Sequence, residues 1–137
     1  MNDRILQKYT GRNGEPIIDA GGAEESETTS DLGAFGWLRG VRDRAIMLEL
    51  RKKNGNVLAI GYGWLERVEF DPSDGITLHL VGQKIRIKGR NLNGDARPQV
   101  RLFQGITQHK VAWIQEADGP TVLQAGKSAT VIEQIEW

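Results

Sequence analysis

Residues 45–62 are AIMLELRKKNGNVLAIGY, and this stretch determines the predicted fold. Alternate positions in its first half are apolar, which is the pattern of a half-buried strand: Ile46, Leu48 and Leu50. Asn54-Gly55 follows, a pair that favours a type I′ hairpin turn because both residues accept positive φ. The apolar residues of 57–62 then predict a second strand that returns antiparallel to the first.

Three further strands are predicted downstream of this hairpin. Alternating apolar residues indicate strands at 64–70, 76–81 and 84–90. Turn-forming residues separate them, and we expect Gly75 to take an unusual backbone conformation in the first of these turns. Because every connection is tight, neighbouring strands should pair antiparallel. Five short, twisted strands favour a small antiparallel barrel or a strongly curled sheet.

After the fifth strand the apolar spacing changes to that of a helix. Pro98 suits a first helical position, so one helix is expected over about 97–109; its apolar residues are Val100, Leu102, Phe103 and Ile106. Residues 111–116 fit either a strand or an extension of that helix, and periodicity does not distinguish the two. The last segment, 118–137, is predicted to be a C-terminal hairpin or tail with strands at 121–124 and 129–137.

Acidic residues are concentrated near the N-terminus. Residues 15–31 contain six Asp or Glu and no Lys or Arg, and many of the others are small. Such a segment cannot bury enough apolar surface to offset the entropy of ordering it. We therefore predict a flexible acidic arm over 1–33, followed by a β-rich core domain over 34–117.

The strongest functional signal is a row of cations on the predicted fifth strand. Side chains on a strand alternate between its faces, so the four cations of 84–90 share one face. Two further arginines extend this basic region, and the candidate partner-binding residues are Lys84, Arg86, Lys88, Arg90, Arg97 and Arg101. Such a row suits an acidic protein or a nucleic acid, although Lys and Arg also protect exposed edge strands from aggregation.

Aromatic residues lie at both ends of the predicted core. Phe35 and Trp37 follow the acidic arm directly, and Trp137 is the last residue printed. Aromatic side chains beside flexible segments are typical of docking onto another protein. They also fit a role in the domain's own core. Aromatic residues are not interleaved with the cations of 84–90, which places nucleic acid second among the partner classes.

The motifs that would indicate catalysis or cofactor binding are incomplete. The chain has no cysteine. Gly126-Lys127-Ser128 lacks the glycine that a phosphate loop carries five residues earlier, and 91–95 lacks the later ligands of a calcium loop. The two histidines, His79 and His109, have no catalytic residue at a familiar spacing. We therefore expect no enzyme activity, no metal and no small-molecule cofactor.

Residues 47–92 resemble the Sm-like RNA-binding barrels. The resemblance consists of the Asn-Gly hairpin, Phe70-Asp71 and the sequence IRIKGRN at 85–91. It implies a mainly β fold, a five-stranded antiparallel barrel of the SH3 or Sm-like style. In that family the helix precedes the strands, whereas here it is expected to follow them. Asp74-Gly75 occupies the region where the family has a base-contacting Asn, so no functional residue is carried across.

These observations favour a non-catalytic protein-binding or assembly module, with a protein partner or a second copy of the chain. The alternative is a small β-barrel that binds nucleic acid through the basic face of 84–90. The N-terminal residues lack the apolar stretch of a secretory signal, and the longest nearly uninterrupted apolar run, 57–65, is too short for a membrane helix. A cytoplasmic location without membrane contact is therefore expected.

Overall fold

The computed structural model describes residues 28–137. It is mainly β, as predicted. The strands are β1 Thr29–Asp31, β2 Phe35–Leu38, β3 Met47–Arg51, β4 Val57–Gly61, β5 Leu65–Asp71, β6 Gly75–Leu80, β7 Gln83–Arg90, β8 Asp95–Arg97, β9 Val100–Arg101, β10 Val111–Gln115 and β11 Val131–Glu136. Two short helices, α1 Leu102–Thr107 and α2 Gly119–Gln124, and a 3₁₀ turn at Tyr62–Trp64 are the other regular elements of this region.

The first sheet has five strands in the order β1-β2-β10-β3-β4. Strands β3 and β4 form the predicted hairpin, with Leu48 opposite Ile60. Gly55 has a φ of 97° and Asn54 does not share the positive φ, so the loop is a bulged turn instead of the predicted type I′. Strand β10 lies between β2 and β3, antiparallel to the former and parallel to the latter.

The second sheet has four antiparallel strands in the order β11-β7-β6-β5. Gly75, in the turn between β5 and β6, has a φ of 103°, the unusual conformation expected from the sequence. A Cβ at this position would lie only 2.2 Å from the carbonyl oxygen of Ile87, so the close approach of β6 to β7 requires glycine. A separate two-stranded ribbon is formed by β8 and β9.

The two large sheets share one hydrophobic core. Their inner faces contribute fully buried residues to a single cluster, among them Leu48, Leu50 and Ile114 from the first sheet and Leu78, Ile85 and Ile135 from the second. Removing each such side chain from water contributes roughly 1.5–3 kcal/mol. Helix α1 closes one side of this core, because Phe103 packs against Phe70 of β5 with ring centroids 5.6 Å apart.

The predicted five-stranded barrel is wrong. The 3₁₀ turn after Gly61 redirects the chain, so β3 and β4 belong to the first sheet while β5, β6 and β7 belong to the second. Each sheet is completed by a distant strand, β10 in the first and β11 in the second. The sheets therefore form two separate layers and do not close into a barrel.

The helix after the fifth predicted strand is present but shorter than expected. It covers Leu102–Thr107, while Arg97 and Val100 of the predicted range lie in the β8–β9 ribbon. Residues 111–115 form strand β10, which decides between the two alternatives left open by periodicity.

The predicted C-terminal hairpin is also wrong. Residues 119–124 form helix α2, because the Asp118 side chain accepts a hydrogen bond from the backbone N–H of Thr121 and Pro120 occupies the first turn. The final strand, β11, lies within the predicted 129–137. It pairs with β7 instead of with a neighbouring hairpin strand.

Most of the predicted acidic arm, 1–33, lies outside the described residues. Its last part is described: β1 pairs antiparallel with β2, with Ser30 opposite Trp37. The described chain therefore begins in the first sheet, on the edge opposite β4.

Candidate interaction surfaces

The cation row predicted to bind a partner lies on the outer face of the second sheet. Ile85 and Ile87 of β7 are fully buried, while the intervening cations point outward. Strand β7 is flanked by β6 and β11. It is therefore an interior strand, and protection of an exposed edge does not explain the charges.

Acidic side chains of the same sheet and its turns neutralise most of this row. Three ion pairs are formed, Arg86–Asp74 at 3.6 Å, Lys88–Glu136 at 3.5 Å and Arg90–Glu133 at 3.4 Å. Exposed pairs of this kind stabilise a fold by about 0–1 kcal/mol. Their main effect is to cancel the field that would attract a polyanion.

Lys84 is the member of the row without an ion pair among residues 28–137. It lines a shallow hollow of about 560 Å³ with Arg67 and His79. His79 Nε2 lies 2.6 Å from Glu69 Oε1, and this hydrogen bond lowers the pKa of the Glu69 carboxyl. An acid therefore accompanies the cations of the hollow as well.

The two remaining basic candidates lie elsewhere. Arg97 and Arg101 belong to the β8–β9 ribbon, outside the second sheet. Arg101 Nε is 2.5 Å from Asp95 Oδ1 on the opposite strand. The six predicted basic residues therefore do not form one continuous surface.

The predicted docking aromatics have three different environments. Phe35 is fully buried in the shared core and is unavailable to a partner, which corrects its assignment as a docking residue. Trp37 is half-buried and packs over Gly105 of α1. Trp137 is partly exposed, and the Lys52 ammonium lies 4.2 Å from its ring centroid. The first two side chains serve the fold itself.

An exposed apolar surface lies at the other end of the first sheet and was not predicted. It consists of edge strand β4 and the apolar residues beside it; we call it the β4 surface, and its members are Ile46, Met47, Val57, Ala59, Gly61 and Trp64. Glu49 and Arg51 of β3 border it on the same face, where they form an ion pair at 2.9 Å. Ile46 is 83% exposed and Trp64 is 74% exposed. The Trp64 indole covers Gly61, since a Cβ on that glycine would lie 3.0 Å from Trp64 Cδ1.

The sequence contains one signal for this surface. Residues 54–65 carry no charged side chain, although 26% of the chain's residues are charged. An uncharged run is compatible with a buried strand as well as an exposed edge. Only the strand order shows that, within residues 28–137, β4 has a neighbouring strand on one side alone.

Two buried charged residues hold the fold together instead of forming a reactive site. Glu116 accepts hydrogen bonds from the backbone N–H groups of Lys53 and Ile135, so it joins the two sheets. Lys110 donates to the carbonyl oxygens of Gly40 and Asp43. A cavity of about 510 Å³ lies beside Glu116, but both carboxylate oxygens are already engaged by the backbone.

No protein-family model, curated protein or solved structure matches this chain. Within 28–137 there is no group of three or more His, Asp or Glu side chains placed to hold a metal ion. In the same range, no helix has the length and apolar character needed to cross a bilayer.

Proposed function

We propose that this protein is a non-catalytic protein-binding module that pairs an extended segment of a protein chain with strand β4. The observation that carries the proposal is the uncharged edge strand beside an exposed tryptophan. Natural proteins usually protect such an edge with charges, proline or a covering element. Strand β4 has none of these features within the described part of the chain, and such an edge is a template for an added strand.

The β4 surface offers both backbone hydrogen-bonding groups and apolar side chains to an added strand. The free side of β4 offers backbone N–H and C=O groups, which bind an extended chain without regard to its side chains. Trp64 and Met47 supply apolar contact next to that backbone. Tryptophan is enriched among the residues that dominate protein interfaces, so we expect Trp64 to contribute most to affinity.

The titratable side chains support a binding role over catalysis. His79 is paired with Glu69, and His109 stacks on Tyr62 with ring centroids 4.4 Å apart. Glu116 bonds backbone groups of two sheets. These groups are committed to structural contacts, and none of them lines the β4 surface.

The nucleic-acid alternative receives weaker support. Three of the four cations on β7 are paired with Asp74, Glu133 or Glu136. A polyanion would have to displace these carboxylates before it contacted the row. The β4 surface requires no such exchange.

A photo-crosslinking amino acid with a large aromatic side chain, which keeps the apolar contact of Trp64, tests the proposal at position 64 in living cells. We expect covalent adducts with protein, and we expect them to disappear when Ala59→Pro removes a backbone N–H from the edge. Leu123 is the control position, because it is 86% exposed on α2 and lies away from β4. Equal adducts at position 123, or adducts that persist in Ala59→Pro, would contradict strand addition.

A further inference from the structure

Hydrogen bonds at both ends of β4 establish which of its backbone groups face outward. Lys52 N–H donates to the Asn56 carbonyl at 2.8 Å, and Tyr62 N–H donates to the Ile46 carbonyl at 2.9 Å. In an antiparallel pair, bonding residues alternate along each strand. The even-numbered residues therefore bond β3, and Val57, Ala59 and Gly61 direct their N–H and C=O groups away from the sheet.

We propose that the partner of β4 is the β4 strand of a second copy of this chain, paired antiparallel about a twofold axis at Ala59. This inference rests on the proposed function and names its partner. The three outward-facing residues are evenly spaced around Ala59. A twofold axis there places Val57 opposite Gly61 of the second copy. The outward N–H and C=O groups of all three residues then form hydrogen bonds with the other copy, about six in total.

The side chains on the outer face fit this register. Val57 is 54% exposed, and the residue that it would face, Gly61, has no side chain. The Trp64 indole of the second copy lies over that glycine. Val57 of one copy therefore packs against Trp64 of the other, twice by symmetry. Ala59 is small enough for the two strands to approach at the axis.

The charges at the four sheet edges distinguish β4 from the others. Acidic residues lie on each of the other three edge strands: Asp31 on β1, Glu66, Glu69 and Asp71 on β5, and Glu133 and Glu136 on β11. Strand β5 also carries Arg67, and charged side chains on an edge strand disfavour its pairing with another chain. Strand β4 has no charge at all, so it is the large-sheet edge of 28–137 that best tolerates its own copy.

A single engineered cysteine tests the register directly, because the natural sequence contains none. Hydrogen-bonded antiparallel partners have α-carbons about 5.5 Å apart, which lies within the range that a disulfide spans. Ala59→Cys should therefore give a covalent dimer under mild oxidation. Glu69→Cys, on edge strand β5, is the matched control and should remain monomeric. Equal crosslinking of the two variants would overturn the proposed pairing.

Light scattering of the unmodified chain supplies the second measurement. The interface is small, so we expect a reversible dimer between about 10 µM and 1 mM protein. Ala59→Pro should shift this equilibrium at least tenfold toward monomer with unchanged circular dichroism, since its N–H does not bond β3. Lys84→Ser should leave the equilibrium unchanged.

The outcomes separate self-pairing from strand addition in general. A monomer at every concentration, with position-64 adducts to a different protein in cells, would overturn the second copy as partner and retain the proposed function. A monomer without any such adducts would contradict both. A dimer that is insensitive to Ala59→Pro would place the contact elsewhere and overturn this inference.

Discussion

The hydroxyl of Tyr62 donates a 2.6 Å hydrogen bond to the backbone carbonyl of Val111. This bond connects the 3₁₀ turn after β4 to the start of β10. Burial raises the pKa of the Tyr62 hydroxyl, so the group remains a protonated donor. This buried hydrogen bond therefore fixes the position of the turn that carries Trp64.

Tyr62→Phe removes this hydrogen bond and keeps the ring. The Val111 carbonyl is left without that donor, and we expect the free energy of unfolding to fall by about 1–2 kcal/mol. Urea denaturation measures the change. Tyr62→Leu also removes the stacking on His109, so it should lower the free energy of unfolding further. Equal stability of Tyr62→Phe and the unmodified protein would show that the bond contributes nothing.

Lys110→Met should loosen the loop between β2 and β3. The Lys110 ammonium bonds two carbonyls of that loop, and its burial lowers the pKa of the side chain. Methionine keeps the apolar length but donates no hydrogen bond. We expect faster tryptic cleavage after Arg42 and Arg44 in the variant. Lys127→Met is the control because Lys127 is exposed, and it should be cleaved at this loop as slowly as the unmodified protein.

The Asp118 cap should make helix α2 sensitive to acid. Its hydrogen bonds with Thr121 lower the pKa of the carboxyl below the usual value for an aspartate. A lowered folded pKa gives stability that is present above about pH 4 and is lost as the pH falls through the folded value. NMR titration of the Thr121 amide should show this loss.

Asp118→Asn provides the matched control for this titration. Asparagine caps helices about as well as aspartate but does not titrate. The Thr121 amide should therefore lose its acid transition in the variant while α2 remains formed at neutral pH. An unchanged transition would assign the titration to a different group.

Removing the acids that neutralise β7 should expose its cations. The triple variant Asp74→Asn, Glu133→Gln, Glu136→Gln frees Arg86, Lys88 and Arg90. We expect it to bind a random oligonucleotide more tightly than the unmodified chain at low salt, with a log–log salt slope steeper by roughly 2 to 3. Fluorescence anisotropy measures both. If the unmodified chain already binds with the steeper slope, the nucleic-acid alternative is the better description of β7.

The local elements of the fold were largely predictable from the sequence. Alternating apolar residues identify β3 and β5–β7, and Gly75 marks a turn whose conformation only glycine adopts easily. These signals act over a few residues. They do not contain the information about which distant strands become neighbours.

The sheet order and the β4 surface depended on such distant pairings. Ile114 of β10 pairs with Phe35 and Leu50, and nothing in the apolar pattern of 111–116 specifies either partner. The same limitation applies to the cations of β7, whose neutralisation depends on Glu133 and Glu136 of β11. Helix α2 was not predicted because residues 119–124 have a weak intrinsic helix propensity. The Asp118 cap and Pro120 in the first turn are what start this helix.

The insertion of β10 between β2 and β3 sets the order in which the protein can assemble. During synthesis the hairpin of β3 and β4 is complete long before residues 111–115 leave the ribosome. Until then the hairpin has two free edges and cannot join β2. Pairing strands so far apart in the sequence is slow, so we expect the first sheet to form only after residues 111–115 are available. While residues 62–110 are synthesised, the nascent chain therefore exposes the uncharged β4 and the unpaired edge of β3 together.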